Sequence, residues 1–378
     1  MKSHHSADCY YINKKREQEE RNVKKVAVYP FDKITRGLVK FRDMVEFQIC
    51  SVIDFIYNIG EDAGTIVCGS PAGIPILDDA AKALEGLDTL IVNSLSGPSY
   101  LEKYMKIYRE HDVDRRCREM LKTARDMGIE IVCIHDMVEE NLQMWLRENQ
   151  IMLTTFSKSS EQMKSFIEEG KQLALEKKSE RISIYATRGC LGKYTAQMYL
   201  MRAMRKKEKK AAALVTEPVA MFYGQYDADP IRFGMLKDPL LYVYYIESLA
   251  KHAEADGNEY LIMADQQSIT SHNFIEETAS KISILKAYHP DKILLIAGYD
   301  DNEAIRDCMD IFRIYCGKKP VAILIPDCME VTYGIYEKKT KEEVEARKQE
   351  IRQVFGIEQV ELVCEAEKVL PLLEEKEK

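Results

Sequence analysis

Short apolar runs alternate with helix-length amphipathic stretches along almost the whole chain, and that alternation leaves few folds open. It predicts right-handed βαβ units, with parallel sheets covered by helices. In the first half the strand candidates are 25–29, 47–53, 65–68, 89–93 and 130–135, with helices expected at 76–85 and 100–127. Runs such as 89–92 (TLIV) and 131–134 (IVCI) are apolar throughout, as strands buried on both faces are. A polar stretch rich in Glu and Lys follows at 157–178 and is expected to form a connector helix. The alternation then restarts, with strands expected at 182–186, 212–216, 260–264, 292–297, 321–325 and 360–363. Helices are expected at 193–207, 239–255, 274–287, 302–316 and 341–355.

A chain of 378 residues exceeds one typical core, so the pattern predicts an α/β protein with two doubly wound, mostly parallel sheets. The expected plan is a polar tail over 1–23 and a Rossmann-like N-terminal domain over 24–150. A helical connector over 151–180 then leads to a P-loop NTPase-like C-terminal domain over 181–378. The charged first 22 residues lack the apolar region of a signal peptide, and no apolar run reaches the length of a membrane span, about 18 residues. Ten cysteines show no CxxC, and Cys50, Cys68 and Cys133 sit inside apolar runs. Buried thiols in a reducing, cytoplasmic setting are the expectation, with no soft-ligand metal site. The net charge of -8 argues against a nucleic-acid partner, and the basic run at 201–210 reads as a solvated helix end.

The strongest local signal is 182–195, ISIYATRGCLGKYT. An apolar strand enters a loop containing Thr187, Arg188, Gly189 and Gly192, and an amphipathic helix begins at Lys193. Such a turn aims the unpaired N–H groups of a helix start at the loop. Gly192 lets backbone approach a phosphate, Lys193 reaches the outer phosphates, and Thr195 offers a hydroxyl for Mg²⁺. The loop departs from GxxxxGK[ST] in two places: Ala186 or Thr187 stands at the first Gly, and Tyr194 takes the slot after the lysine. A tight structural turn with a surface lysine is the competing reading.

In a parallel sheet, ligands bind beyond the carboxyl ends of the strands. Those ends carry Glu217, Asp265, Asp300, Asp301 and Asp327. Asp265 closes an apolar strand and is the first candidate to hold Mg²⁺ with Thr195; Glu217 is the second, as ligand or general base. Asp301 reads as the cap of the following helix. Tyr223, Gln225 and Asp227 are candidate pocket residues, with a plain surface loop as the alternative. In the first half, Gly69 and Gly73 are too loosely spaced for a dinucleotide fingerprint, which argues against NAD. Ser70, Asn93 and His135 are expected to line a crevice for a small polar ligand or a peptide, facing the phosphate loop across the two domains.

ATRGCLGKYTAQ, a strand ending TEP and a strand ending ADQQS together resemble a P-loop family in which a Rossmann-like domain precedes a phosphate-loop domain. Some of its members are D-glutamate N-acyltransferases. Thr187, Gly192, Lys193 and Thr195 match its loop, with Cys190 or a neighbour, while Asp265 and Gln267 stand for its later E-x-Q. The opening KKVAVYPFD, the length and the loop also resemble the clostridial "peptide maturation system" proteins, found with a radical SAM maturase and a ribosomally made precursor. This second resemblance implies a role in natural-product peptide maturation, with a precursor peptide and a radical SAM maturase as partners. The expected cofactor is ATP or GTP with Mg²⁺, for phosphoryl transfer or acyl activation, or else acyl-CoA for N-acyl transfer. A scaffold with a degenerate loop that binds a peptide or partner is the non-enzymatic alternative.

Overall fold

A computed structural model describes residues 23–93, 102–134, 140–156, 158–173, 179–229, 239–266, 268–270, 275–332 and 335–375. The chain forms two compact units, Met1–Ser157 with Met221–Gly224, and Lys158–Ala220 with Gln225–Lys378. Each is built on a parallel α/β sheet, so the two-sheet architecture read from the alternation is the observed one.

The first unit holds strands β1 (Lys25–Tyr29), β2 (Gln48–Ile53), β3 (Ile76–Leu77), β4 (Thr89–Val92), β5 (Glu130–Cys133) and β6 (Thr154–Thr155). They lie in the order β3-β2-β1-β4-β5-β6, which is the order of dinucleotide-binding sheets. The strand order reverses between β1 and β4, and that is where ligands enter such sheets. β1 is apolar and buried because both neighbours and both faces are covered. Helices α1 (Lys33–Lys40), α2 (Ala63–Cys68), α3 (Ala80–Leu84), α4 (Glu102–Glu110), α5 (Val113–Asp126) and α6 (Glu140–Glu148) complete the unit. Met120, Leu121 and Ala124 of α5 pack into the core beneath Leu90 and Val92.

Three expectations fail in this unit. Residues 65–68 are not a strand: Asp62 accepts from the amides of Thr65 (2.9 Å), Ala72 (2.8 Å) and Ile74 (2.8 Å), which starts a helix and folds the following loop back onto it. Those amides, that of Ala72 first, hold the Asp62 carboxyl down at about 2. The helix expected at 76–85 is instead β3 followed by the short α3. The single helix expected over 100–127 is broken at Asp112, whose backbone is left-handed at φ 50°.

The second unit holds β7 (Glu180–Ala186), β8 (Ala211–Val215), β9 (Tyr226–Asp227), β10 (Tyr260–Ala264), β11 (Lys292–Ile296), β12 (Ala322–Ile325) and β15 (Val360–Leu362), with the hairpin β13 (Cys328–Thr332) and β14 (Ile335–Lys338) apart from the sheet. The sheet order is β15-β12-β11-β7-β10-β8-β9, all parallel, with β7 at the centre. Its helices are α7 (Ser160–Gln172), α8 (Lys193–Lys206), α9 (Pro239–Ala255), α10 (Ile275–Tyr288), α11 (Asn302–Cys316), α12 (Lys341–Phe355) and α13 (Leu370–Glu374). The stretch read as a connector is α7, and its Met163 and Ile167 are buried with Tyr245, Ile246 and Leu249 of α9. That apolar stripe, rather than a solvated surface, is what places α7 in the second unit's core. No helix among the described residues is long and apolar enough to cross a membrane, and no disulfide links cysteines among them.

Candidate functional site

Central strand β7 ends at Ala186 and feeds the loop 187–192, after which α8 begins. Gly192 sits at the helix start with φ 97° and ψ 29°, a conformation that side-chain-bearing residues avoid. A Cβ there would also come to 3.0 Å from Val363 Cγ1, so the backbone calls for glycine and the room beside it is tight. No side chain caps α8, and its first turn holds no acid but opens on Lys193. The helix start therefore presents amide donors and partial positive charge to the loop. A Cβ at Gly189 would meet nothing within 4 Å. Buried Gln197 fixes α8 over the sheet, donating through Nε2 to the carbonyls of Leu214 on β8 and Ile262 on β10, each at 2.9 Å.

The upstream half of the loop is tied inward. Thr187 N–H donates to the Ile296 carbonyl at 2.9 Å, extending the β7–β11 pairing, and its hydroxyl donates to Asp301 Oδ2 at 2.5 Å. Arg188 Nε pairs with the same oxygen at 3.3 Å, and Gly298 N–H donates to it at 2.9 Å. Asp301 stands at the N-cap position of α11 but makes no capping bond with its side chain, which corrects the reading of it as a helix cap. A Cβ at Gly298 would lie 2.6 Å from Asp301 Oδ2 and 2.7 Å from Arg188 Nη2, so a side chain there would displace the pair. Behind it, buried Arg347 of α12 donates to the Gly298 carbonyl through Nε (3.2 Å) and Nη2 (2.9 Å). Arg347 also donates to Asn302 Oδ1 (2.6 Å) and Glu350 Oε2 (2.8 Å). Thr187 and Arg188, read as ligand contacts, thus belong to a network that sequence order hides.

The next strands bring two carboxylates to the same edge. Asp265 follows β10, and its N–H donates to the Ile184 carbonyl of β7 at 3.2 Å, which sets it beside the loop strand. Its side chain is buried; Oδ1 accepts from Gln266 N–H at 2.8 Å, while Oδ2 accepts no hydrogen bond among the described residues. Lys281 of α10 lies 3.9 Å from that Oδ2 and donates to the Gln266 carbonyl. This buried ammonium was not singled out by sequence, because it comes from mid-helix with no motif around it. Glu217, half-buried, follows β8, where the Thr216 hydroxyl donates to the Ala264 carbonyl at 3.1 Å and Gln266 Nε2 to the Thr216 carbonyl at 3.0 Å. Thr195 lies in the first turn of α8 and is half-buried. No three His, Cys, Asp or Glu side chains converge on a metal-sized site among the described residues. Gln267 lies outside the described residues. Asp300 is exposed, and Asp327 is half-buried at the base of the hairpin, where its carbonyl accepts from Lys339 at 2.9 Å.

The remaining candidates are occupied structurally. Tyr223 is buried in the first unit, where its hydroxyl donates to the Gly37 carbonyl at 3.1 Å. Gln225 Oε1 accepts from Ala213 N–H at 2.7 Å, and Asp227 lies in edge strand β9 with its carbonyl taking the Tyr245 hydroxyl at 3.0 Å. In the first unit, Asp32 seals the turn after β1. Its Oδ1 accepts from Ile34 N–H (2.9 Å) and Thr35 N–H (3.0 Å), the Thr35 hydroxyl accepts from Asp32 N–H (3.0 Å), and Asn93 Nδ2 donates to Oδ2. Burial is the main influence on this carboxyl and raises its pKa. Asn93 thus serves the turn, Ser70 is exposed beyond α2, and His135 lies outside the described residues.

The fold is similar to that of a DUF1611 family protein from Anabaena variabilis ATCC 29413, with a TM-score of 0.61 and 15% identity over 93% of this chain and 98% of that one. At that identity the likeness establishes the two-unit α/β fold. An amine dehydrogenase from Mycobacterium smegmatis matches at a TM-score of 0.26 and 15% identity, over 45% of this chain and 49% of that one. A murein peptide ligase from Psychrobacter arcticus matches at 0.24 and 10% identity, over 90% and 52%. No protein-family model matches the chain, and neither does any curated protein sequence.

Proposed function

We propose that the second unit binds the phosphates of a nucleotide, ATP or GTP, and that the protein is an enzyme of peptide or amino-acid modification in natural-product peptide maturation. One observation carries the phosphate reading: the helix leaving the central strand starts at a left-handed glycine, carries no side-chain cap, and opens on Lys193. Lys193 and the amides around Gly192 would bind the phosphates. Thr195 and Asp265 are the groups that would hold Mg²⁺, and the unbonded Oδ2 of Asp265 is an acceptor suited to a cation. Bound there, the ion would neutralise phosphate charge. Glu217, on the neighbouring strand end, would act as general base. A precursor peptide and a radical SAM maturase are the partners the sequence resemblance supports, in a cytoplasmic setting.

A second reading has its own observation. Lys281 already brings a positive charge to within 3.9 Å of Asp265, where a divalent ion would otherwise be needed. That favours phosphate binding without metal, as in N-acyl transfer from coenzyme A, where the thioester requires no Mg²⁺. Calorimetric titration of the full chain with ATP, GTP and acetyl-CoA, each with and without Mg²⁺, separates the two. Binding of ATP or GTP strengthened by Mg²⁺ supports the first reading, metal-indifferent binding of acetyl-CoA alone supports the second, and no binding of any of the three refutes both.

A further inference from the structure

We propose that Asp301 is a latch on Arg188, holding its guanidinium away from the phosphate seat until a polyphosphate displaces it, so that Asp301 sets the affinity of the loop. This rests on the phosphate-binding reading above and adds a positioning residue to it, along with a cation that moves. The ligand class is a polyphosphate, whether the triphosphate of a nucleotide or the phosphates of coenzyme A.

Arg188 sits in the loop between Thr187 and Gly189, in the same short segment that ends at the uncapped start of α8. Its side chain is 50% exposed and pairs with Asp301 Oδ2 through Nε at 3.3 Å. A guanidinium makes a strong, two-point contact with a phosphate, so a half-exposed ion pair at 3.3 Å is readily exchanged for one. The carboxylate is not stranded by the exchange, because Asp301 Oδ2 keeps the Thr187 hydroxyl at 2.5 Å and the Gly298 N–H at 2.9 Å. Arg347 in turn holds the Gly298 carbonyl, so the latch is anchored from behind while the Arg188 side chain is half exposed. The absence of a side chain at Gly298 is what leaves room for the guanidinium in its parked position.

The test is calorimetric titration of the full chain with inorganic tripolyphosphate, ATP and coenzyme A. Asp301→Asn keeps an oxygen for Thr187 and Gly298 but removes the charge on Arg188. It is expected to bind tripolyphosphate about three- to fivefold more tightly than the unaltered protein. Arg188→Gln is expected to bind about tenfold more weakly, and the double variant to bind like Arg188→Gln, because the two residues act on the ligand through each other. A gain from Asp301→Asn that survives undiminished beside Arg188→Gln overturns the latch, since plain charge removal then explains it. So does an Asp301→Asn protein that melts normally and shows no gain. Where Asp301→Asn melts early, Arg188→Lys, which lacks the two-point fork, decides: weakened tripolyphosphate binding supports the latch, and unchanged binding overturns it. Failure of all three probes to bind the unaltered protein removes the phosphate reading, and the latch with it.

Discussion

Each unit carries a helix that starts directly after a central strand of its sheet, and the two starts are finished in opposite ways. After β1 the turn is closed by the protein's own carboxylate, with Asp32 capping α1 and Asn93 holding Asp32. After β7 the helix start is left to Gly192 and Lys193, with no side-chain cap and no acid in the first turn. The same strand-to-helix junction is thus a sealed structural corner in one unit, started from extended Asp32, and in the other an open start from left-handed Gly192, which is the proposed anion seat. Strand order does not separate them, because the first unit has the order of a dinucleotide-binding sheet. A negative charge already on the helix start is what makes a phosphate unwelcome there.

The sharpest way to break this contrast is Gly192→Ala. It forces an L-residue to φ 97° and drives a Cβ to 3.0 Å from Val363. A loss of about 2 kcal/mol in chemical unfolding and abolished nucleotide binding are expected. An Ala variant that binds ATP normally would show that the loop geometry is not the seat. Next in size, Lys193→Ala is expected to weaken nucleotide or coenzyme binding at least tenfold, about 1.4 kcal/mol, with the melting temperature unchanged. Unchanged affinity in calorimetry would remove Lys193 from the phosphate reading.

On the sealed side the effects concern stability. Asp32→Ala is expected to cost about 1 kcal/mol through loss of the helix cap, without altering nucleotide affinity; a change in affinity would show that the sealed turn takes part in binding. The smallest effect is in pH dependence. Burial raises the Asp32 carboxyl, so folding favours its protonated form more than the unfolded chain does. The stability this contributes is complete below the unfolded value, about 3.9, and is lost as pH rises through the raised folded value. Asp32→Asn cannot titrate and is expected to flatten that segment of the stability profile, measured by urea unfolding at a series of pH values upward from about 4. A profile identical to that of the unaltered protein would assign the dependence elsewhere.

Much of the fold was legible because helix and strand periods speak locally. The helices at 239–255, 302–316 and 341–355 and the strand at 260–264 run where periodicity put them. The misread run at 65–68, TIVC, is apolar and β-branched like a strand, but Asp62 three residues earlier nucleates a helix, and a period cannot be judged over four residues. The loop was legible from its glycines and lysine, whereas the residues that hold it were not. Asp301 occupies a cap position, so local rules assign it to α11, yet its bonds run to Thr187, 114 positions away. Lys281 and Arg347 reach the strand ends from mid-helix, and nothing in their own neighbourhoods marks them.

The wedge of Val363 under Gly192 also orders events in time. Gly192 leaves the ribosome long before the residue it packs against, which follows 171 positions later in the chain. The two strands that flank β7, β10 and β11, also come after it. At ordinary rates of synthesis the loop waits on the order of 10–30 s for these partners. During that interval a nascent chain carries the glycines and the lysine but neither the sheet nor the wedge that shapes them. The first unit's sheet, by contrast, has all six of its strands before residue 156 and is ready to form while the second is still being made.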